Sequence, residues 1–236
     1  MITSDEKTSR MTIKEFRERF ARVRDGGYIQ SARSGPTGIG HTLEQALGLS
    51  ENNLPFPDLG EVELKAHREN ASSLITLFTF NRKAWVMNPL AAIRKYGTFD
   101  ANQRKGIYFT MSPTPNSSGL FLKITDESVW VQHISGEVIV KWDTAALAAQ
   151  FQRKVPSIIL VSAQTEERAG IEHFWFYRAR LLTGTSPRLI ADQIRLGNLL
   201  VDLRLHDKGT SARNHGTGFR SPESKLDKLF ERIEEL

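Results

Sequence analysis

Three observations in the 236-residue chain predict an α/β fold with a mixed sheet. Residues 62–67 alternate strictly, Val62, Leu64 and Ala66 apolar against Glu63, Lys65 and His67 polar, which is the period of a half-buried strand. The apolar runs 73–80 and 157–162 read as buried strands, the first pairing with the strand at 62–67. Between strands, 143–153 reads as a helix capped by Asp143, and a helix crossing between strands of one sheet is what an α/β core needs.

The elements follow in order. Residues 1 to 10 are polar and expected to fray. From 12 to 24, Ile13, Phe16, Phe20 and Val23 fall at helical spacing while Arg17, Arg19, Arg22 and Arg24 crowd the other faces. Such a helix is a solvated surface element or one that lies along a phosphate backbone; Asp25-Gly26-Gly27 stops it. The glycine run from 35 to 40 lacks the Gly-Lys-Ser/Thr of a phosphate loop, so it reads as backbone passing close to something, followed by a short helix with Leu43, Ala46, Leu47 and Leu49 inward. Residues 89–96 are helical, 107–111, 120–125, 129–134 and 138–142 are strand-like, and 112–119 is a turn or loop. This meander suggests an antiparallel extension of the sheet. Residues 172–182 form another strand, and 186–196 a helix capped by Ser186 with Pro187 at its first position. A final helix within 221–236 would bury Leu226, Leu229, Phe230 and Ile233.

Composition narrows the function. A hydrophobic content of 39% with 25% charged residues is ordinary for a globular protein. No apolar run approaches about 18 residues and no signal-peptide profile appears, so a soluble, intracellular, cytoplasmic protein with no membrane partner is expected. The absence of cysteine excludes disulfides, thiolate-held zinc and thiol catalysis. A net charge of +5 and a pI near 9.5 tilt toward a polyanionic partner such as nucleic acid. The six histidines include no His-Glu-x-x-His, and Asn214-His215 alone is too little for a one-histidine nuclease motif.

Two stretches carry chemistry. In Pro57-Asp58-Leu59-Gly60-Glu61-Val62-Glu63-Leu64-Lys65-Ala66-His67, two carboxylates and an ammonium gather at one sheet edge. A divalent cation gives them a reason to be together: Asp58 and Glu63, with the Leu64 carbonyl as a third oxygen, would hold Mg²⁺, and Lys65 would face the attacking water and the phosphate. That arrangement suits a phosphodiesterase; the plainer alternative is a solvated strand face with a surface Glu63–Lys65 pair. Glu44 could face this cluster or be an ordinary surface acid. In the second stretch, Asp202 and Arg204 project from one face of a strand over 199–205, suited to reading G·C pairs in a major groove or to pairing with each other. The polar run 206–220 after it reads as an ordered functional loop anchored by Phe219. Arg17, Arg22 and Arg213 would add salt-dependent affinity for phosphates.

The motifs Thr37-Gly38-Ile39-Gly40-His41-Thr42-Leu43-Glu44, Pro57-Asp58 through Glu63-Leu64-Lys65-Ala66-His67, Ser73-Leu74-Ile75-Thr76-Leu77-Phe78-Thr79, Val201-Asp202-Leu203-Arg204 and His215-Gly216-Thr217-Gly218-Phe219-Arg220 stand in one order. Together they resemble the landmarks of type II restriction endonucleases of the MvaI/BcnI kind, relatives of the MutH mismatch-repair nickase within the PD-(D/E)XK superfamily. The resemblance spans about residues 28 to 230. It implies a restriction-endonuclease-like αβββαβ core with a mixed central sheet in a two-lobed, clamp-shaped monomer. A catalytic lobe over 1–165 and a DNA-recognition lobe over 166–236 are implied, with a shared sheet allowed. By the family pattern Asp58 and Glu63 are metal ligands, Lys65 the catalytic lysine, Glu44 a further acid of the site and His67 a histidine close to it. Asp202, Arg204 and Arg220, with Arg213 and His215 in the same region, fall where such enzymes contact a short CC-N-GG-like site in double-stranded DNA. Mg²⁺, with Mn²⁺ able to substitute, and a cognate DNA methyltransferase in the same system are implied as well. A MutH-like nickase and a non-catalytic basic DNA-binding module are the alternatives. Metal-dependent turnover separates the last from the others.

Overall fold

The computed structural model describes residues 11–35, 37–49, 54–56, 60–69, 74–81 and 84–236, and for 54–56 and Gly60 the backbone alone. The N-terminal ten residues, expected to fray, and Asp58 lie outside the described residues. In chain order the elements are α1 (Ile13–Asp25), β1 (Ile29–Gln30), α2 (Gly38–Ala46), β2 (Leu54–Phe56), β3 (Gly60–Arg68), β4 (Leu74–Thr79), α3 (Pro89–Tyr96), β5 (Thr98–Phe99), β6 (Lys105–Met111) and β7 (Leu120–Ile124). They continue with β8 (Ser128–His133), β9 (Val138–Asp143), α4 (Thr144–Lys154), β10 (Ser157–Arg168), β11 (Ile171–Thr183), α5 (Pro187–Arg195), β12 (Leu200–Asp207), β13 (Ala212–Pro222), a 3-10 helix (Glu223–Leu229) and β14 (Arg232–Glu235).

Contacts group the chain into two units, the first made of residues 1–71, 156–183 and 232–236 and the second of 72–155 and 184–231. The boundary expected near residue 165 falls inside β10, whose ladder with β11 runs from Ser157–Thr183 to Arg168–Ile171 and keeps both strands in one unit.

The first unit is a six-stranded mixed sheet in the order β1-β11-β10-β3-β2, with β14 also paired to β11. The β3–β10 pair is parallel, and the other pairs are antiparallel. Helix α1 starts where the sequence places it, on a capping box: Thr12 Oγ1 accepts from the Glu15 amide at 3.1 Å and the Glu15 carboxylate accepts from the Thr12 amide at 2.8 Å. Phe16, Phe20 and Val23 of α1 join Ile39, Leu43 and Leu47 from the second helical segment against Val62, Ile159, Val161, Phe174 and Phe176 in one core. The helices thereby cover the face of β3 that carries Val62, Leu64 and Ala66, and the alternation of β3 turns Glu63, Lys65 and His67 to the opposite face.

The second unit holds a five-stranded sheet, β4-β13-β12-β6-β5, and a separate three-stranded sheet, β7-β8-β9. Four expectations change here. The strand at 74–79 pairs with β13 and not with β3, because Thr76 and Phe78 find their ladder partners in Arg220 and Phe219. The meander divides: β6 joins the five-stranded sheet, while β7, β8 and β9 form a sheet of their own, so α4 joins strands of two different sheets. The polar run 206–220 is mostly a hairpin of β12 and β13, held by pairs from Asp207–Ala212 to Leu200–Arg220. Its anchor is Phe219, fully buried and stacked on Phe78 at 4.6 Å and edge-on to Trp142 at 5.4 Å. The expected C-terminal helix is a 3-10 turn that buries Leu226 and Leu229, followed by β14, in which Ile233 is exposed and pairs with Leu182. Among the described residues no helix is long and apolar enough to cross a membrane.

Candidate nuclease site and DNA-recognition face

On β3 of the first unit, the Lys65 ammonium donates to the Glu63 carboxylate, side chain to side chain along one strand face. The pair keeps access to solvent, the Glu63 side chain 44% and the Lys65 side chain 24% exposed. His67, two residues on, is buried, and its Nε2 lies 2.8 Å from Ser162 Oγ on the parallel neighbour β10. The polar face of β3 is therefore open at Glu63 and closed at His67. Close by in sequence, Glu69 accepts from the Tyr177 hydroxyl at 3.0 Å, and burial with this contact raises the Tyr177 pKa above its ordinary value.

Glu44 lies half-buried on α2, which packs on the Val62 side of β3. The described contacts include no hydrogen bond or ion pair between Glu44 and Glu63 or Lys65. Among the described residues no group of three His, Asp or Glu side chains is placed to hold a metal ion. The chemistry of the donors fits a hard divalent cation all the same: Glu63 presents an exposed carboxylate oxygen donor, the chain has no cysteine, and the other expected ligand, Asp58, lies outside the described residues.

In the second unit the expected recognition residues come together on the β12–β13 hairpin. Asp202 is buried and accepts from Arg204 Nε at 2.6 Å, from Arg220 Nη1 at 3.2 Å and from Thr110 Oγ1 at 3.3 Å. Arg220 is tied down further by donating to the Leu74 carbonyl at 2.8 Å, whereas Arg204 is exposed. The strand alternation that put Asp202 and Arg204 on one face holds, and the two pair with each other, Asp202 buried and Arg204 open to solvent. Arg213 and His215 are exposed on β13; His215 Nε2 sits 3.3 Å from His206 Nδ1, and the Tyr108 hydroxyl 3.1 Å from the same nitrogen. Burial, then the electrostatic influence of Arg104, His215, Arg213 and Lys208, lowers the His206 pKa below its ordinary value. The shift favours the neutral imidazole. Arg22 is exposed, while Arg17 is paired with Glu234.

Sequence reasoning missed Thr110, Tyr108 and Ser162. The first two were legible as the alternate positions of the strand 107–111, but only the pairing of β6 with β12, Tyr108 opposite Arg204 and Thr110 opposite Asp202, gives them a role. Ser162 carried no signal beyond its strand.

A carboxylate–ammonium pair on one face of a mixed sheet, with a separate strand face that carries arginines, suits a protein that handles polyanions. The chain belongs to the MvaI/BcnI restriction endonuclease family, whose model matches residues 17–230. It is thus a restriction endonuclease, a hydrolase that acts on DNA. A solved structure of the restriction endonuclease MvaI in complex with its cognate DNA substrate is 26% identical, with a TM-score of 0.66 over 95% of this chain and 99% of that one. MvaI in the absence of DNA is also 26% identical, with a TM-score of 0.62 over 100% and 99% of the two chains. Curated protein sequences contain no match.

Proposed function

We propose that the chain is a divalent-metal-dependent, site-specific endonuclease that cuts double-stranded DNA at a short CC-N-GG-like sequence. The observation that carries the reading is the exposed Glu63–Lys65 pair on β3, inside a family match that runs from 17 to 230. The reading includes an αβββαβ core around β3 and β10, with Asp58 and Glu63 as ligands of Mg²⁺ and Glu44 as a further acid. When bound, the cation supplies positive charge to the scissile phosphate and acidifies water.

The remaining work falls to the chain's own groups. Glu63, held by Lys65 on a strand, presents its carboxylate in one orientation, so little side-chain freedom is lost when the substrate arrives. Lys65 is a compact ammonium fixed beside that carboxylate, and it adds charge stabilisation to the phosphate in its transition state. His67, through Ser162, fixes the register of β3 against β10 next to the reacting pair.

Arg204 and Arg220 would address guanine O6 and N7, and Asp202 a cytosine N4, as the outer C·G pairs of the site require. Asp202 accepts from both arginines, which restrains their side chains before any substrate arrives. Arg213 and Arg22 add phosphate contacts that carry no sequence information. A monomer with one active site, acting beside a cognate methyltransferase, completes the reading. MvaI with cognate DNA supports the duplex substrate by its likeness to this chain over nearly its whole length.

The test is to incubate the purified protein with supercoiled plasmid and phage DNA in Mg²⁺ or EDTA and to sequence the ends. Discrete Mg²⁺-dependent fragments ending at CC-N-GG-like sites are expected. Intact DNA in every condition would refute the reading, and nicked circles alone would replace it with a strand-nicking activity.

A further inference from the structure

Three side chains with metal-binding atoms converge on the five-stranded sheet of the second unit. His206 lies on β12, and the strands on either side of it, β6 and β13, supply Tyr108 and His215. His206 Nδ1 lies 3.1 Å from the Tyr108 hydroxyl and 3.3 Å from His215 Nε2.

The hairpin brings the two imidazoles together. Leu203 pairs with Thr217 and Leu205 with Asn214, so Arg204 alone stands opposite both His215 and Gly216. This is a bulge, a device that re-aims a side chain. Gly216 takes the φ of +105° that it needs, and its amide donates to Asn214 Oδ1 at 2.8 Å.

The spacing is that of ligands around one ion. Two imidazole nitrogens about 2.05 Å from a metal at the tetrahedral angle lie about 3.3 Å apart, with ring centres about 5.2 Å apart. The observed values are 3.3 Å and 5.3 Å. A linear N–H···N bond of that length would set the ring centres about 5.6 Å apart. The Tyr108 oxygen stands within about 0.2 Å of the oxygen–nitrogen edge of the same tetrahedron. The lowered pKa of His206 favours the neutral imidazole, the form that ligates a metal. Arg104, Lys208 and Arg213 nearby disfavour a hard cation held by charge alone, which leaves a transition metal held by nitrogen.

We propose that His206 Nδ1, His215 Nε2 and the Tyr108 phenolate bind a divalent transition metal, Zn²⁺ fitting best, in a tetrahedral site whose fourth position is left to water. Binding releases the phenol proton to solvent, while His206 keeps its proton on Nε2 and His215 on Nδ1. The site differs in chemistry from the carboxylate of Glu63, because Mg²⁺ prefers an octahedron of oxygens. One ion tied to three neighbouring strands would stabilise the hairpin.

The test uses the full chain without a histidine tag, titrated with Zn²⁺ by calorimetry in millimolar Mg²⁺, with Co²⁺ absorption as the probe of geometry. One ion per chain, a micromolar dissociation constant, the visible spectrum of tetrahedral cobalt and a higher melting temperature in Zn²⁺ are expected. His215 is exposed, so His215→Ala should melt like the wild type without metal, yet bind Zn²⁺ at least about tenfold more weakly. Tyr108→Phe should also lose about tenfold and release about one proton fewer, read from the buffer dependence of the binding heat. His173→Ala, in the first unit, should bind Zn²⁺ like the wild type.

No Zn²⁺ binding by the wild type would overturn the proposal and leave the imidazoles joined by a hydrogen bond alone. Unchanged binding in His215→Ala would overturn it by placing the ion elsewhere. Unchanged binding and proton release in Tyr108→Phe would overturn the phenolate ligand, and an octahedral cobalt spectrum would overturn the geometry. DNA cleavage enters none of these readouts, so they stand or fall apart from the nuclease reading.

Discussion

Replacing Asp202 by alanine removes the acceptor on which two arginines and a threonine converge. The carboxylate side chain is 9% exposed, against 20% for Arg220 and 54% for Arg204. Losing it leaves Arg220, held in a half-buried position by the Leu74 carbonyl, without its counter-charge. Arg204, being exposed, is rehydrated at little cost. A charge-assisted bond lost at a buried site costs about 1.5–3 kcal/mol, so Asp202→Ala should lower stability by about 2 kcal/mol. With a urea m-value of about 2 kcal/mol/M, that is a midpoint shift of about 1 M. Arg204→Ala should cost about 0.5 kcal/mol or less, since its partner keeps Arg220 and Thr110 and exposed pairs contribute little. Both variants should nonetheless lose discrimination between a CC-N-GG duplex and a scrambled one. Urea unfolding followed by circular dichroism, with competition binding on the same samples, measures both quantities. Equal destabilisation by the two substitutions would refute the burial argument, and unchanged discrimination would refute the assignment of this face to recognition.

Three further outcomes follow from the same geometry. Phe219→Ala removes the ring stacked on Phe78 and edge-on to Trp142 at a fully buried position and should cost about 3–5 kcal/mol, read as a fall in melting temperature; a shift of less than about 2 °C would contradict its anchoring role. His206 has a folded pKa below its ordinary value of 6.5, so the unfolded chain binds the extra proton first, and stability should fall as the pH drops below about 6.5. Melting temperatures from pH 7.5 to 5 should decline less in His206→Phe than in the wild type, and parallel curves would contradict the shift. Arg213→Ala should lower affinity for cognate and scrambled duplexes alike and reduce the salt slope by about one; a loss confined to the cognate duplex would make Arg213 a base reader instead.

What was legible in the sequence was mostly local. The caps at Asp143 and Ser186 set the starts of α4 and α5, the spacing of Ile13, Phe16, Phe20 and Val23 gave α1, and alternation alone turned Glu63, Lys65 and His67 to one face. Pairing was not legible, because which strand lies beside which depends on residues far apart. Residues 74–79 are apolar enough to sit in either sheet, and Phe78 stacking on Phe219 decides for β13. The hairpin over 206–220 looked like a loop because its side chains are polar and its glycines numerous, yet backbone ladders need no apolar side chain. At the C-terminus, Leu226 and Leu229 suit a 3-10 turn as well as an α-helix, and the ladder offered by β11 takes Ile233 as a strand residue. The Glu63–Lys65 pair was legible from its spacing, whereas the burial of His67 against Ser162 required knowing that β10 lies parallel to β3.

The central claim is that Lys65, beside Glu63, serves the hydrolysis of DNA and not its recognition. The measurement that tests it is plasmid cleavage in Mg²⁺ by wild type and Lys65→Ala, paired with binding of a duplex carrying the mapped site. Loss of cutting by a factor of about 10³ or more with affinity retained within a few fold is the predicted result. Cutting by Lys65→Ala at a near wild-type rate would remove Lys65, and the strand-face site built around it, from the mechanism.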